Sequence, residues 1–304
     1  MDFHGLDLNL LVALDALLNE GSVTRAGKRL NLTQSSTSSA LARLREFFHD
    51  QLLVPVGRTL VPTPLAQSLR KPVRDILMQV QGTIAAKAEF DPARSRRTFT
   101  LAVSDYVAIG LMVEALKRAK RSAPGVTFDL QLMSESAFGK LEHGSVDMLI
   151  VPESVAAATQ PKEVLFEESY VCIAWSGNRH IRQSISLEQY LALGHVVARI
   201  GGNRETLDEI HLSRAGHARR VEVFAPSFDV VPHLVAGTDR IATVHKRLAA
   251  IYARVLSLKI LPLPVEMPYL TEVAQWHRLR DLDPAYVWLR GVLKDTATAV
   301  GLRI

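Results

Sequence analysis

A run of short polar side chains between Ser22 and Arg45 is the part of this sequence best suited to contact with a nucleic acid. Its second half predicts a helix with an apolar face, because four residues recur at helical spacing: Thr37, Leu41, Leu44 and Phe48. The outward face then carries Ser35, Ser39, Ala42 and Arg43. Small outward side chains let a helix enter a major groove about 12 Å wide. The stretch therefore predicts a helix that reads DNA.

Individual roles follow from the side-chain chemistry. Gln34 lies in the first turn, where its amide could pair bidentately with the edge of an adenine. Short hydroxyl donors suit phosphate oxygens, and they are supplied by Thr33, Ser36 and Ser38. Positive charge is added by Arg43 and Arg45. The alternative is an ordinary helical hairpin with a solvated face, but serine is a mediocre helix former and a run of it favours a function.

Two earlier helices should hold the reading helix in place. Leucines at helical spacing predict an amphipathic helix over residues 7–19. Ser22 can cap the next helix and is also a candidate for DNA contact. Asn31 and Leu32 form the turn, after which Thr33 caps the reading helix.

A hairpin and a long helix should follow. The run LLVPVGRTLVP at residues 52–62 predicts a β-hairpin around Gly57, with Arg58 at its tip as a further candidate for DNA contact. Thr63 and Pro64 then open a long helix with an apolar stripe: Leu65, Leu69, Val73, Ile76, Val80 and Ile84. The stripe predicts pairing with the same helix of a second copy, although packing on its own domain remains the alternative.

Composition and charge agree with a DNA-binding protein. The 304 residues are 48% hydrophobic and 22% charged, which is normal for a globular chain of two or three domains. The net charge is +5, and residues 22–75 hold nine Arg or Lys against three acids, so the remainder is close to neutral. Cys172 is the only cysteine, in an apolar strand-like setting, which predicts a buried structural thiol and a reducing compartment. Acidic residues interrupt every early apolar run, so we expect a cytoplasmic protein without a membrane segment.

Beyond a polar hinge at residues 91–97, strands alternate with helices and predict two α/β lobes, the first with a mainly parallel sheet. We expect strands at 99–103, 127–132, 147–151, 170–175, 195–199, 221–224, 240–244 and 270–276. Helices are expected at 107–121, near 138 and after Asp283-Pro284. The last strand and helix should return to the first lobe.

The carboxyl ends of strands in such lobes predict a ligand crevice, because helix N-termini there offer free N–H groups. The candidate residues are Ser104, Asp105, Ser134, Glu135, Gly202, Asn203, Phe228, Thr243, His245 and Trp276. Hydroxyls and amides near an aromatic side chain suit a small aromatic ring with a phenol or carboxylate. The two acids argue against a strongly anionic ligand. Each serine could instead cap a helix, Trp276 could be core, and His245 could be structural.

Four segments carry a resemblance to a known family. They are LDLNLLVALDAL at 6–17, SLEQYLALGHV at 186–196, GTDRIAT at 237–243 and the closing DPAYVWLR. With the order of parts, they make the whole chain similar to LysR-type transcriptional regulators, in the subgroup of nodulation and aromatic-acid-responsive regulators. Three positions depart from the family: Ser35 replaces a usual proline, Gly27 a usual alanine, and His245 a usual proline.

The resemblance implies an α+β multidomain fold with an N-terminal winged helix-turn-helix, a linker helix and a two-lobed α/β effector domain like a periplasmic binding protein. We assign these to residues 1–63, 64–90 and 98–304, with a hinge at 91–97. Lobe I is expected at about 98–164 and 269–304, and lobe II at about 165–268. The implied partners are double-stranded promoter DNA, a small aromatic inducer, RNA polymerase and further copies of the chain as a dimer of dimers.

Other functions find little support. The sequence has no nucleophile elbow, zinc-protease helix, dinucleotide fingerprint or phosphate loop, so we expect no catalytic residues, no metal and no cofactor. A solute-binding protein would need an export signal and would not carry the basic helical front. A DNA-binding repressor that responds to no ligand remains a real alternative.

Overall fold

The computed structural model describes residues 7–57, 59–86, 90–199 and 205–303. These fall into two compact units, divided in the main just before Phe90. Arg58, Gly202 and Asn203, which were expected to contact partners, lie outside the described residues.

Three helices open the first unit: α1 (Asn9–Glu20), α2 (Val23–Leu30) and α3 (Gln34–Phe48). Both predicted caps are present, because Ser22 Oγ accepts from the backbone N–H of Arg25 and Thr33 Oγ1 accepts from that of Ser36. Leu14, Leu17 and Leu44 are fully buried where the three helices meet. The predicted helix-turn-helix is therefore confirmed, with α3 extending three residues beyond the expected end at Arg45.

The predicted hairpin is also present as β1 (Leu53–Val56) and β2 (Thr59–Pro62), an antiparallel pair. The long helix α4 (Pro64–Ala86) continues through Pro72. Its apolar stripe divides between two environments. Val73 is 3% exposed and packs with Leu69 in the core of the first unit, whereas Ile76 and Val80 are 44% and 46% exposed. One edge of the stripe thus packs within the unit, and the other edge is exposed.

Several arginines of the first unit hold its own backbone. Arg45 donates from Nε to Gln51 O and from Nη2 to Leu53 O, both at 2.8 Å. Arg70 donates to Leu18 O at 2.6 Å. Arg74 forms a largely buried ion pair with Asp15 at 2.8 Å. The positive excess counted from the sequence thus overstates the charge that is available to DNA.

The second unit contains two five-stranded sheets. The first has the order β4-β3-β5-β12-β6, and its strands are β3 (Thr98–Val103), β4 (Thr127–Leu132), β5 (Met148–Pro152), β6 (Lys162–Glu168) and β12 (Leu270–Trp276). β3 runs parallel to β4 and β5, but β12 runs antiparallel to β5 and β6. The three strands on which the expectation of a mainly parallel sheet rested, β3, β4 and β5, run parallel as expected, and the antiparallel β12 makes the full sheet mixed. β6 was not predicted.

The second sheet has the order β11-β7-β10-β8-β9. Its strands are β7 (Tyr170–Trp175), β8 (Gly194–Ala198), β9 (Arg220–Ala225), β10 (Ile241–His245) and β11 (Leu258–Leu261). β7 pairs antiparallel with β10 and β11, while β8 runs parallel to β9 and β10. Cys172 is buried in β7, and burial raises the pKa of its thiol to about 12, as a structural cysteine requires.

Helices cover both sheets. The first lobe carries α5 (Asp105–Val107), a π-helical turn (Ala108–Met112), α6 (Val113–Ser122), α7 (Ala137–Glu142) and α12 (Pro284–Ala299). The second carries α8 (Leu187–Ala192), α9 (Leu207–Arg214), α10 (Val231–Val235) and α11 (Lys246–Leu256). Short 3₁₀ turns follow β5 and β12, at Glu153–Val155 and Arg278–Arg280. The predicted helices near residues 107–121, 138 and 284 are all present.

Two crossovers join the lobes. The chain passes from β6 to β7 at Ser169, and it returns from β11 to β12 through residues 262–269. Because β6 belongs to the first sheet as far as Glu168, lobe I ends four residues later than the predicted residue 164. The last strand and helix return to lobe I, as expected.

Candidate nucleic-acid interface and ligand cavity

The outward face of α3 presents a cluster of exposed hydroxyls at its N-terminus. Thr33 Oγ1 lies 2.9 Å from Ser35 Oγ and 2.8 Å from Ser36 Oγ. Gln34, Ser38 and Ser39 are exposed on the same helix, as are Ala42 and Arg43. Beneath them Thr37 is fully buried and donates to Thr33 O at 2.9 Å. The N-terminal turns of α3 can therefore approach a partner closely.

The candidates for DNA contact differ in how free they are. Within the described residues, the ion-pair partner of Arg43 is Asp7, at the long distance of 3.8 Å, and the Arg43 side chain is 56% exposed. Arg45 is engaged with two backbone carbonyls of the segment that leads into the hairpin. Ser22 is occupied as a helix cap, although it remains partly exposed. Arg45 thus braces the fold, which leaves less of its guanidinium available to DNA than expected.

A cavity of about 480 Å³ lies between the two lobes of the second unit. Lobe I contributes Ser104, Tyr106, Met133, Pro152, Val155, Leu270 and Glu272, and lobe II contributes Tyr170, Glu205, Thr206, Leu207, Asp208, Ile210, Phe228 and His245. Of the described lining residues, none is Lys or Arg. The cavity is therefore mostly apolar and aromatic, with a few acidic groups.

His245 forms the centre of an aromatic cluster. Its ring stacks on Tyr106 at 4.0 Å between centroids and lies 4.9 Å from Phe228 and 5.1 Å from Tyr170. Burial lowers the pKa of His245 to about 4, so the imidazole is neutral at physiological pH. Nδ1 is buried and has no hydrogen-bond partner among the described residues.

Acidic side chains line the cavity in two different states. Asp208 is bound to Arg219 at 2.8 Å, and both side chains are more than nine-tenths buried. Glu272 is 2% exposed, and its Oε2 has no partner in the described part of the chain. Burial raises the pKa of Glu272 to about 8, so this carboxyl is mostly protonated at neutral pH.

Tyr106 links the cavity wall to the lobe crossover. Its hydroxyl donates to Glu168 Oε2 at 3.0 Å. The same oxygen accepts from the backbone N–H of Arg247 in lobe II at 3.3 Å. The Arg247 guanidinium reaches back to lobe I, where it donates to Gly110 O and Val300 O. A group that contacts Tyr106 therefore touches a residue that ties the lobes together.

The expected ligand residues are only partly brought together. Ser104, Phe228 and His245 line the cavity, and Ser104 also caps α5 through the backbone N–H of Val107. The others that the structure describes do not line it: they are Asp105, Ser134, Glu135, Thr243 and Trp276.

These five residues have other contacts or lie elsewhere. Asp105 Oδ2 accepts a hydrogen bond from the backbone N–H of Asp229 at 2.7 Å. The hydroxyl oxygens of Thr243 and Tyr190 are hydrogen-bonded to each other at 2.6 Å. Trp276 is buried and donates from Nε1 to Asp281 at 3.1 Å. Ser134 pairs with Ser136 outside the cavity, and its neighbour Glu135 is exposed. We therefore withdraw them from the ligand site.

Sequence reasoning missed several wall residues, above all Tyr106, Tyr170, Asp208 and Glu272. One signal was available for Glu272, because it falls on the same face of its strand as Leu270, Ala274 and Trp276. An acid within an otherwise apolar row is unusual in a buried strand. The other three follow from the lobe crossovers, which no local pattern encodes.

A winged helix-turn-helix followed by a two-lobed α/β unit with a cavity between the lobes defines a ligand-responsive regulator of transcription. Residues 8–67 match the bacterial regulatory helix-turn-helix protein, lysR family, and residues 92–298 match the LysR substrate binding domain. The chain therefore belongs to the LysR family of transcriptional regulators. It is a regulator with a DNA-binding and an effector-binding domain, and not an enzyme.

Similar proteins agree over nearly the whole length. Nodulation protein D 1 of Rhizobium tropici is 40% identical over 303 residues, which are 99% of this chain and 98% of that protein. A probable transcriptional regulator from Pseudomonas aeruginosa is 28% identical with a TM-score of 0.70, covering 96% of this chain and 98% of that one. A full-length OxyR variant from the same organism has a TM-score of 0.77 at 17% identity, covering 96% and 95%, which is a likeness of fold alone.

Among the described residues, no helix has the length and apolar character needed to cross a lipid bilayer. The same residues contain no cluster of three or more His, Cys, Asp or Glu side chains that could hold a metal ion.

Proposed function

We propose that α3 reads promoter DNA and that an uncharged aromatic effector, held between the lobes, controls the outcome. One observation carries the choice of effector: the cavity is walled by the rings of Tyr106, Tyr170, Phe228 and His245. Aromatic walls favour stacked or edge-on contacts with a planar ligand, each worth about 0.5–1.5 kcal/mol beyond area burial.

The charges around the cavity support an uncharged ligand. The described lining residues include Glu205 and Asp208 but no Lys or Arg. A carboxylate ligand would therefore enter a poorly hydrated site without a paired cation on those walls, which is costly. A phenol, ketone or ether oxygen instead suits Ser104, or the polar atoms of His245 and Glu272 that no described residue binds.

A thermal-shift screen of the full-length protein tests the effector. The panel holds small aromatic acids, phenols, quinolones and flavonoids. A ligand at about 100 times its dissociation constant stabilises the bound unit by about 2.7 kcal/mol. The shift should weaken in Phe228→Ala but persist in Val255→Ala, which changes a side chain that is 71% exposed and outside the cavity lining. A flat screen on well-folded protein would favour a regulator that responds to no ligand.

For DNA, we propose that Gln34 contacts bases, and that phosphates are contacted by Thr33, Ser36, Ser38 and Arg43. Ser35 and Ser39 permit close approach of α3 to the groove, and Ser22 lies at the flank. Arg58 is proposed from its position in the hairpin sequence only. The exposure of α3 and its hydroxyl cluster support this assignment.

We propose further that the protein is a dimer of dimers in which α4 supplies one interface. Leu65, Ile76 and Val80 support this, because they are 37%, 44% and 46% exposed on one edge of the helix. Val80→Glu should shift sedimentation toward smaller species, whereas Gln79→Glu, an exposed neighbour, should not. An unchanged assembly in Val80→Glu would remove α4 from the interface.

RNA polymerase in the cytoplasm is the remaining proposed partner, because a promoter-bound regulator acts through that enzyme. Transcription in vitro with purified polymerase tests this directly. Adding the regulator to a template that carries its binding site should change transcript yield, and a template with a scrambled site is the control.

A further inference from the structure

Glu272 occupies an unusual position on a central strand. β12 lies between β5 and β6, and along one face it presents Leu270, Glu272, Ala274 and Trp276. The three neighbours of Glu272 in this row are apolar members of the main core. The register of β12 against β6 shifts between Glu272 and Val273. The extra residue of this bulge is Leu165 on β6, and bulges are frequent beside functional sites.

Glu272 lines the cavity with a carboxyl oxygen that no described residue binds. The residue is only 2% exposed, and the oxygen is Oε2. A buried polar atom without a partner costs about 1–3 kcal/mol, which a purely structural residue would not be expected to retain. A ligand oxygen placed there would recover that cost.

The groups around Glu272 are mostly acidic or neutral. Titratable side chains on the same cavity come from lobe I at Tyr106 and from lobe II at Tyr170, Glu205, Asp208 and His245. Glu168, behind the cavity wall, accepts a hydrogen bond from the Tyr106 hydroxyl. Three cations act on this network: Arg219 is paired with Asp208, Arg247 acts on Tyr106, and Lys246 acts on Glu168. His245 has its pKa lowered to about 4 by burial, so it does not titrate near neutral pH.

We propose that Glu272 is the specificity-determining contact of the effector cavity, where its carboxyl donates a hydrogen bond to a carbonyl or ether oxygen of an uncharged ligand and disfavours a carboxylate. This inference rests on the proposed effector function. Burial raises the pKa of Glu272 to about 8, which keeps the donor proton on the carboxyl at neutral pH. Above that pH the ionised group could no longer donate, so ligand affinity should fall.

Two matched probes test the proposal on the full-length protein: 4-methoxyacetophenone and 4-methoxybenzoate. They have nearly the same shape, and neither titrates near neutral pH. Calorimetry should show the ketone binding to the wild type at least about tenfold more tightly than the carboxylate at about pH 7, which is a difference of about 1.4 kcal/mol. Its affinity should fall about tenfold by about pH 9, one unit above the pKa of the carboxyl.

Variants separate the carboxyl from the fold. Glu272→Gln retains a donor, so ketone affinity should stay within about threefold of wild type at neutral pH and lose its dependence on pH. Glu272→Leu retains the volume without a donor and should lose about tenfold in ketone affinity. Glu188→Gln makes the same chemical change at an exposed position outside the cavity and should behave as wild type.

The outcomes distinguish this inference from the proposed function. Suppose that ligand binding is detected, but that each compound binds wild type and Glu272→Gln with the same affinity and the same pH dependence. Glu272 then does not select the ligand, and the proposal of an aromatic effector is unaffected. If Glu272→Leu binds the ketone as wild type does, the hydrogen bond is absent. If no variant binds a probe or panel compound, both the aromatic effector and this inference fall together.

Discussion

The outward face of α3 and the wall of the lobe cavity both offer polar groups to a partner, under opposite conditions. On α3 the hydroxyls of Thr33, Ser35 and Ser36 are exposed and bond to one another. In the cavity His245 and Glu272 are 3% and 2% exposed, and each has a polar atom without a partner in the described part of the chain. Water is available to the first set and largely withheld from the second.

This difference bears on how each region selects its partner. An exposed hydroxyl exchanges water for a phosphate at little net gain, so many weak contacts must add up. A buried group without a partner gains much more when a ligand satisfies it, and loses more when the ligand is wrong. We therefore expect substitutions in the cavity wall to have larger effects than substitutions on α3.

The largest effect should come from the ion pair that supports the cavity wall. Arg219→Met leaves the buried carboxylate of Asp208 uncompensated, and we expect a loss of about 3–5 kcal/mol in the stability of the second unit. All three tryptophans lie beyond residue 90, so tryptophan fluorescence during urea unfolding reports this unit. Arg220→Met, with a side chain that is 61% exposed, is the control and should stay near wild type. Equal losses of stability in Arg219→Met and Arg220→Met would contradict the expected difference between a buried and an exposed ion pair.

The next effect concerns pH. Because burial raises the pKa of Glu272 from 4.5 to about 8, unfolding releases a proton throughout that interval. The contribution of Glu272 to wild-type stability should therefore fall as pH rises from about 4.5 to about 8, by up to about 4 kcal/mol. The buried His245 and His195, whose pKa values are lowered to about 4, contribute in the opposite direction below about pH 6.5, so the comparison with Glu272→Gln isolates the carboxyl. Glu272→Gln lacks this group, so its unfolding free energy relative to wild type should increase across the same window. A constant difference between the two proteins from acid to neutral pH would show that Glu272 is ionised in the fold.

The two regions also differ in how far the sequence predicted them. Caps at Ser22 and Thr33 and the hairpin at Gly57 are local features, and each was read from a few neighbouring residues. The cavity brings Tyr106, Asp208 and Glu272 together across two crossovers between sheets. Pairing of distant strands is set by the whole core, so these contacts were not visible in any short window.

Particular errors have particular causes. β6, KEVLFEE, was missed because its charged residues mask the apolar ones, and β11 has only four residues. Trp276 was expected at the ligand because it ends β12. It lies four residues beyond Glu272, about 13 Å along the strand, and is therefore in the core rather than at the cavity.

On α3 the strongest single effect on DNA binding should come from Gln34. Gln34→Ala removes the amide that we propose reads a base, and we expect a loss of about 1–3 kcal/mol on the selected binding site, with little loss on random DNA. Binding sites are first selected from a random library, and affinities are then compared at one fixed salt concentration. Ser39→Ala is the control, because it keeps a small side chain on the outward face of α3, and it should cost less binding free energy. Equal losses on selected and random DNA would remove Gln34 from base reading.

Two arginines on α3 should separate stability from binding. Arg45→Gln breaks charged hydrogen bonds to Gln51 O and Leu53 O, and we expect a loss of about 1.5–3 kcal/mol in the stability of the first unit. Arg43→Gln should leave stability unchanged and reduce the salt dependence of DNA binding by about one phosphate contact. The first unit has no Trp or Tyr, so amide hydrogen exchange of α1–α3 is the suitable measurement. The reverse pattern would return Arg45 to the DNA-contacting set.

The smallest effect concerns how closely α2 packs on α3. A Cβ added at Gly27 would lie 2.9 Å from Thr37 Oγ1 and 3.0 Å from Leu32 O, which is too close, whereas one at Gly291 in α12 would have open space. Alanine favours a helix by about 1 kcal/mol over glycine, but overpacking costs about 1–3 kcal/mol. Gly27→Ala should therefore destabilise the first unit by about 1 kcal/mol, and Gly291→Ala should stabilise the second by about 0.5–1 kcal/mol. Hydrogen exchange and tryptophan fluorescence measure the two changes separately. If both substitutions stabilise the protein, α2 and α3 can move apart at little cost, and contact with Thr37 does not fix the distance between the two helices.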